Sequence, residues 1–309
     1  MEILAQQIIN GLVLGSIYAL VALGYTMVYG ILGLINFAHG EIVMIGAIIA
    51  STVIRKIVEA GTGLPGLVIA ALGLLVAAPA CMALGIGIER VAYRPLRRSP
   101  RLAPLITAIG VSIVLQNAAM LAWGRQYISF PPILPEGTHA VAGARITDVQ
   151  IIIILLAVSI MAALHRLVHK TRLGRAMRAT AQSPDIAGLM GVDTNRIVAV
   201  TFVIGSALAA VAGLMVSGYY GLSHYNMGFM LGLKAFTAAV LGGIGNLGGA
   251  MIGGILLGLI ESVGAGYIGP LTGGFLGSHY QDVFAFFVLI LVLTVRPSGL
   301  RGSHVAERA

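Results

Sequence analysis

Apolar stretches of membrane-spanning length recur along the chain with short polar interruptions, at residues 8–29, 31–57 with a break, 67–88, 105–123, 149–168, 197–216, 229–247, 251–268 and 283–295. A helix needs about 20 mostly apolar residues to cross a bilayer, and only helices or closed barrels satisfy their backbone there. The pattern predicts an all-α, polytopic integral membrane protein with eight or nine transmembrane helices in a single transmembrane domain over residues 1–309. If the broken second segment crosses, the total is nine and the N-terminus is outside. If it re-enters, the total is eight and the N-terminus is inside. Two Gly-containing interruptions stand out at membrane depth, at residues 36–41 and 242–249.

Composition sharpens this picture. Apolar side chains make up 58% of the 309 residues and charged ones 10%, against roughly 45–50% and about 25% in soluble domains. That balance excludes a large extramembrane catalytic module. The 42 glycines suit a bundle whose helices approach closely through small residues. The lone Cys81 excludes an internal disulfide or a multi-cysteine metal site and reads as apolar filler. Glu2 stands where a signal peptide would carry basic residues, so the first apolar run reads as a span.

The net charge of +8 raises the possibility of nucleic acid, but fourteen of the 19 basic residues fall in three places. Arg90, Arg94, Arg97, Arg98 and Arg101 form one group, Arg166, Lys170, Arg172, Arg175, Arg178 and Arg196 a second, and Arg296, Arg301 and Arg308 a third. By the positive-inside rule all three face the cytoplasm, and no nucleic acid is needed. Even numbers of apolar segments separate the clusters, provided that the 229–247 stretch crosses. Arg55 and Lys56 then sit on the outer side, against the rule. The opposite loop, about 124–148, holds Pro131, Pro132 and Pro135, which forbid a continuous helix and predict a structured outer loop.

The chemistry of most enzymes is missing. The 11 acidic residues are scattered, with Asp185 and Asp193 the nearest pair, so no bunched carboxylates hold Mg²⁺. His165 and His169 have metal-ligand spacing on one helix face but lack a nearby acid. Gly243, Gly245 and Gly248 spell G-x-G-x-x-G inside a membrane segment, without the strand that a dinucleotide site requires. No phosphate-binding G-x-x-x-x-G-K-[ST] occurs. Catalytic, cofactor and metal residues are therefore not expected, and an ATPase driving transport would be another polypeptide.

A cytoplasmic loop at about 169–196 carries the clearest motif. A basic stretch containing Arg175 gives way to Ser183-Pro184-Asp185-Ile186-Ala187-Gly188-Leu189-Met190-Gly191. Ser183 suits an N-cap, Pro184 the first helical position, Asp185 the positive helix end and Gly191 a C-terminal stop. A short capped helix is predicted, with Ile186, Leu189 and Met190 at i, i+3, i+4 spacing. It either lies on its own bundle or the lipid interface, or docks a cytosolic partner.

Five blocks now share a resemblance. They are residues 24–30 (GYTMVYG), 35–41 (INFAHGE), 88–97 (IERVAYRPLR), Gly174-Arg175-Ala176 and 234–245 (KAFTAAVLGGIG). In this order they resemble the permease subunits of branched-chain amino-acid ABC importers, specifically the LivH-type subunit. The resemblance implies a bacterial cytoplasmic (inner) membrane protein forming half of a pathway for branched-chain amino acids or related small solutes. It implies as partners a second homologous permease, two cytosolic ATPase subunits that bind the ATP, a periplasmic or extracellular solute-binding protein, and membrane lipid. The rival is a self-sufficient secondary transporter or channel coupled through Glu41, Glu261 or Asp282; a lipid-modifying membrane enzyme is a further alternative.

The interruptions supply pathway candidates independently of the family. Irregular backbone at membrane depth faces protein or water, and intramembrane ionisable groups are functional candidates. Asn36, His39, Gly40 and Glu41 in the first interruption, and Gly242, Gly243 and Gly245 in the second, either line the pathway or form a solvated turn and a helix-packing surface. Lys234, Glu261 and Asp282 either pair inside the bundle or lie at its ends.

Overall fold

A computed structural model describes residues 2–97, 99–100, 102–135, 137–141, 143–271, 281–296 and 298–302. Arg98, Arg101 and Arg308 lie outside the described residues, and Asp282 is described by its helical backbone alone. The helices are α1 (Glu2–Leu32), α2 (His39–Glu59), α3 (Gly66–Ile88, continued by a π-helical turn at Glu89–Tyr93), α4 (Leu102–Trp123), α5 (Asp148–Lys170), α6 (Arg172–Gln182), α7 (Pro184–Leu189), α8 (Thr194–Tyr220), α9 (Met227–Gly242), α10 (Leu247–Leu271) and α11 (Gln281–Val295). Four short strands, β1 (Ile128–Ser129), β2 (Thr138–Val141), β3 (Ala144–Thr147) and β4 (Leu222–Ser223), form two antiparallel pairs, β1 with β4 and β2 with β3.

Among the described residues, six helices are long and apolar enough to cross a membrane: α1, α3, α4, α5, α8 and α10. The remaining expected spans are subtler: α2 carries Glu41, Arg55, Lys56 and Glu59, α9 has 16 residues and α11 has 15.

Local signals set the helix ends. The Thr147 hydroxyl accepts from the Gln150 amide while Gln150 Oε1 accepts from the Thr147 amide, a complete capping box at the start of α5. Asp193 caps α8 by accepting from the Arg196 amide at 3.0 Å, and Gly221 stops it at φ 71°.

Helix α1 is the axis of the bundle, with Val13 to Met27 almost wholly buried. Its main neighbour is α10, and the approach is backbone to backbone: a methyl added at Gly15 would lie 2.7 Å from the Ile255 Cα. This is association through small residues, as expected where lipid leaves no hydrophobic drive between helices. The peripheral helices keep their apolar side chains outward, as at Ile106, Ile113, Val114 and Leu121 of α4.

Hydrogen bonds sort the polar segments into two ends. At one, Gln6 exchanges bonds with the Arg145 backbone at 3.0 and 2.8 Å, so the start of α1 sits beside the β2–β3 hairpin. Ser51 of α2 and Ser217 of α8 both reach Ser223 of β4, at 2.8 and 2.7 Å. At the other end, Arg97 donates to Asn195 at 2.6 Å and Asn246 to the Arg301 carbonyl at 3.0 Å, and Arg178 and Arg301 line one cleft, so members of all three basic clusters share this end. The 229–247 stretch does run between the ends, from Met227 beside Ile128 to Gly242, whose carbonyl accepts from the Arg301 amide. Arg55, on the hairpin end, lies 3.7 Å from Glu59 one turn on, which offsets its charge there.

Candidate functional site

At the basic end, the predicted capped helix is α7. The Ser183 hydroxyl accepts from the Ile186 amide at 3.3 Å, Pro184 opens the helix, Asp185 occupies its first turn, and Gly191 turns the chain at φ 84°. Only Ala187 is buried against the chain, while Ile186, Leu189 and Met190 are 63%, 87% and 80% exposed. Among the described residues, nothing beyond the helix's own backbone lies within 4 Å of where a Gly188 side chain would begin. Helix α6, an unexpected second helix, precedes α7: Thr171 caps it by accepting from the Gly174 amide at 3.1 Å, and Arg178 donates to the Val168 carbonyl. Arg175 is exposed on α6. A cleft of about 990 Å³ opens beside these helices, walled by Arg178, Gln182, Asn246 and Arg301.

A charged knot joins this end to the bundle. Fully buried Glu89 accepts from Arg94 at 3.1 and 2.8 Å and from Arg97. The Glu89 carboxylate, through hydrogen bonding first and charge second, raises the Arg94 guanidinium above its ordinary value. Arg97 also holds Asn195, at the start of α8 and just beyond α7. On the next turn, the Tyr93 hydroxyl lies 3.1 Å from the Asn36 Oδ1 and 3.3 Å from the Ile35 carbonyl.

Asn36 belongs to the first interruption, which the structure places at residues 33–38. The solvated-turn reading is corrected: Asn36, His39 and Glu41 are 2%, 2% and 0% exposed. His39, Gly40 and Glu41 form the first turn of α2 and lie beyond the break. The His39 ring fills the space beside Gly24 of α1 and stands edge-on to Tyr25 at 4.9 Å. A side chain at Gly40 would strike the Gly228 carbonyl and come 2.8 Å from the Gly232 Cα, so α2 and α9 touch by backbone. Glu41 Oε1 accepts from Ser112 at 2.9 Å and Gln116 at 2.8 Å, while its Oε2 has no hydrogen-bond partner among the described residues.

The second interruption is narrower than expected. Helix α9 ends at Gly242 and α10 begins at Leu247, with Gly243 and Gly245 at φ 104° and 91°, conformations that glycine adopts without strain. The Leu300 and Arg301 amides donate to the Leu241 and Gly242 carbonyls at 3.0 and 2.9 Å, satisfying the end of α9. The Gly245 carbonyl lies 3.6 Å from where a Gly30 side chain would start, so the two breaks are neighbours through the end of α1. Gly249 and Gly253 of α10 pack on Gly242, whereas Gly245 in the break lies against the Tyr29 ring.

Lys234 and Glu261 pair inside the bundle at 2.7 Å. The Tyr18 hydroxyl donates to the same carboxylate at 3.2 Å.

The model of the family described as branched-chain amino acid transport system / permease component matches residues 7–293. The chain is 47% identical over 308 residues to the high-affinity branched-chain amino acid transport system permease protein BraD of Pseudomonas aeruginosa, covering 98% of this chain and 97% of that one. It is 46% identical over 308 residues to LivH of Escherichia coli, with the same coverage. A more distant relative, the galactose/methyl galactoside import permease protein MglC of Salmonella typhimurium, is 24% identical over 262 residues, covering 78% of this chain and 74% of that one. No solved structure matches the chain.

Proposed function

We propose a function from one premise: the chain belongs to the branched-chain amino acid transport permease family, and it is a multi-pass membrane transport subunit rather than an enzyme. Its role is to form half of the transmembrane pathway of an ATP-driven importer for branched-chain amino acids or closely related small solutes. The partners are a second, homologous permease, two cytosolic ATPases that bind the nucleotide, and a periplasmic or extracellular solute-binding protein. The site of action is a bacterial inner membrane.

Nine elements cross or enter the bilayer in this reading: α1, α2, α3, α4, α5, α8, α9, α10 and α11. An odd number puts the N-terminus outside with the hairpin and the C-terminal segment inside with the basic clusters, in line with the positive-inside rule.

The observation that carries the proposal is α7, a capped helix on the basic end whose three largest apolar side chains are mostly exposed. Water penalises that arrangement and a groove on a soluble partner rewards it. Docked in an ATPase, Ser183, Asp185, Gly188 and Gly191 shape the helix, Ile186, Leu189 and Met190 anchor it, and Arg175 steers toward acidic surface. Its displacement pulls the start of α8 and, through Asn195, Arg97, Glu89 and Tyr93, the 33–38 break. Asn36, His39, Gly40 and Glu41, with Gly242, Gly243 and Gly245, then act as the parts of the pathway that bend, because the helical ladder is already interrupted beside them.

The test is ATP hydrolysis by the purified complex in nanodiscs. Solute-loaded binding protein should stimulate it, and omission of this chain should abolish the stimulation; stimulation without this chain would refute the role.

A further inference from the structure

The cleft of about 990 Å³ at the basic end has no part in the transport reading. Two arginines meet in it from distant parts of the chain, Arg178 from α6 and Arg301 from the segment after α11, and the stacked rings of His165 and His169 bound it on the α5 side. Neither arginine pairs with a carboxylate among the described residues, and the described residues that line the cleft include no acid. The Val168 carbonyl takes one N–H of Arg178, but a guanidinium carries five donors. Topology accounts for arginines at this end; it does not account for their convergence on one acid-free cleft.

Two further features bear on what would fill it. A narrow crevice of about 80 Å³ shares the Gly30, Val168 and Arg178 walls and extends to Thr26. Thr26 precedes Gly30 by one turn of α1, about 6 Å deeper at about 1.5 Å per residue. Its hydroxyl is buried without a hydrogen-bond partner among the described residues, an arrangement that calls for an acceptor. On the α5 side, Leu155, Val158 and Ala162 continue the exposed helix face of His165 and His169 deeper into the membrane, at the three- and four-residue spacing of one face. Cations thus stand at the rim, an orphan hydroxyl one turn below, and an apolar strip runs inward from the same opening.

We propose that this cleft binds one anionic phospholipid of the cytoplasmic leaflet. The phosphate takes Arg178 and Arg301, whose planar forks suit it, a glycerol ester carbonyl accepts from Thr26, and an acyl chain lies along Ala162, Val158 and Leu155. Basic pockets between membrane helices on the cytoplasmic side hold such headgroups. Arg178 belongs to the helix before α7, and the Arg301 amide closes the end of α9, so the bound lipid ties the docking helices to the second interruption.

The full chain purified in detergent without ATPases tests this independently of the importer reading. Its Tm is followed as mixed micelles carry a rising fraction of dioleoylphosphatidylglycerol, since a ligand of the folded state raises Tm. Dioleoylphosphatidylcholine, inorganic phosphate and glycerol 3-phosphate are the other arms, and none of them should stabilise the chain as phosphatidylglycerol does. Arg178→Gln with Arg301→Gln should raise the half-saturating fraction of phosphatidylglycerol at least tenfold, and Arg90→Gln, exposed at the same end but outside the cleft, should leave it unchanged. Wild-type binding by the folded double variant, or equal weakening by Arg90→Gln, overturns the proposal. Equal stabilisation by phosphatidylcholine overturns it as well, and saturation by either soluble phosphate makes the cleft a site for free phosphate instead. If the double variant does not fold, Arg301→Gln decides alone, because that side chain is exposed and pairs with no carboxylate among the described residues.

Discussion

Replacing Ile186 and Met190 of α7 by aspartate isolates the docking role of this helix. Both side chains are largely free in the chain, 63% and 80% exposed, so the changes should disturb its own stability within about 0.5 kcal/mol apiece, as surface substitutions do. Met190 closes the helix, where an acid opposes the dipole by about 0.3–1 kcal/mol; a Ile186→Ser, Met190→Ser pair removes the burial without that charge. In the docked state each anchor contributes about 1.5–3 kcal/mol if fully buried. Losing two removes about 3–6 kcal/mol, which at about 1.4 kcal/mol per tenfold weakens the ATPase contact by two to four decades. The assay is copurification of the ATPases with a tagged permease from solubilised membranes, with size-exclusion chromatography of the permease as the folding control. Complete loss of the ATPases from the aspartate variant, and partial or complete loss from the serine variant, is expected. A well-folded aspartate variant that retains them refutes the docking role and returns α7 to the membrane interface.

Single cysteines in a Cys81→Ala background should report the sidedness of the two ends, with Arg175→Cys labelled by an impermeant thiol reagent only from the cytoplasm and Thr138→Cys only from outside. Gly40→Leu should prevent assembly, because the added atoms meet the Gly228 carbonyl and Gly232 backbone, whereas Gly245→Leu first meets the Tyr29 ring, at 3.8 Å, and should cost about 1–3 kcal/mol of stability through its positive φ, read as a lower Tm in detergent. Glu89→Ala strands Arg97 beside a vacated buried site; the loss should fall near the lower end of the roughly 3–5 kcal/mol typical of broken buried pairs, since Arg94 is 41% exposed and screened, and should appear as a lower midpoint in thermal denaturation.

What was legible in the sequence is what local chemistry writes. The spans follow from uninterrupted apolar runs, the common end of the basic clusters from segment parity, and α7 from Ser183, Pro184, Asp185 and Gly191, all within one short stretch. Both interruptions were also visible, because glycine and polar residues stand where a continuous helix would be apolar. Their interior was not. That His39 fills the hollow at Gly24 and that Gly40 meets Gly228 depend on how three helices cross, which no local pattern encodes. Helix α6 was not expected, because the stretch that its cap Thr171 opens carries three arginines and few apolar positions to set a helical period. The Lys234–Glu261 pair remained ambiguous because its members belong to different helices, and only the α9–α10 packing brings them to 2.7 Å. The β1–β4 contact joins residues nearly a hundred positions apart and has no signal beyond the prolines that kept the outer loop from being helical.

In the proposed importer this chain forms a pathway whose motion is driven by other subunits. Uptake of radiolabelled leucine into proteoliposomes tests it most directly, comparing the full complex with the two permeases from which only the ATPases are omitted. ATP-dependent accumulation is expected from the full complex, and none without the ATPases. Accumulation by the permeases alone, driven by an imposed ion gradient, would contradict it.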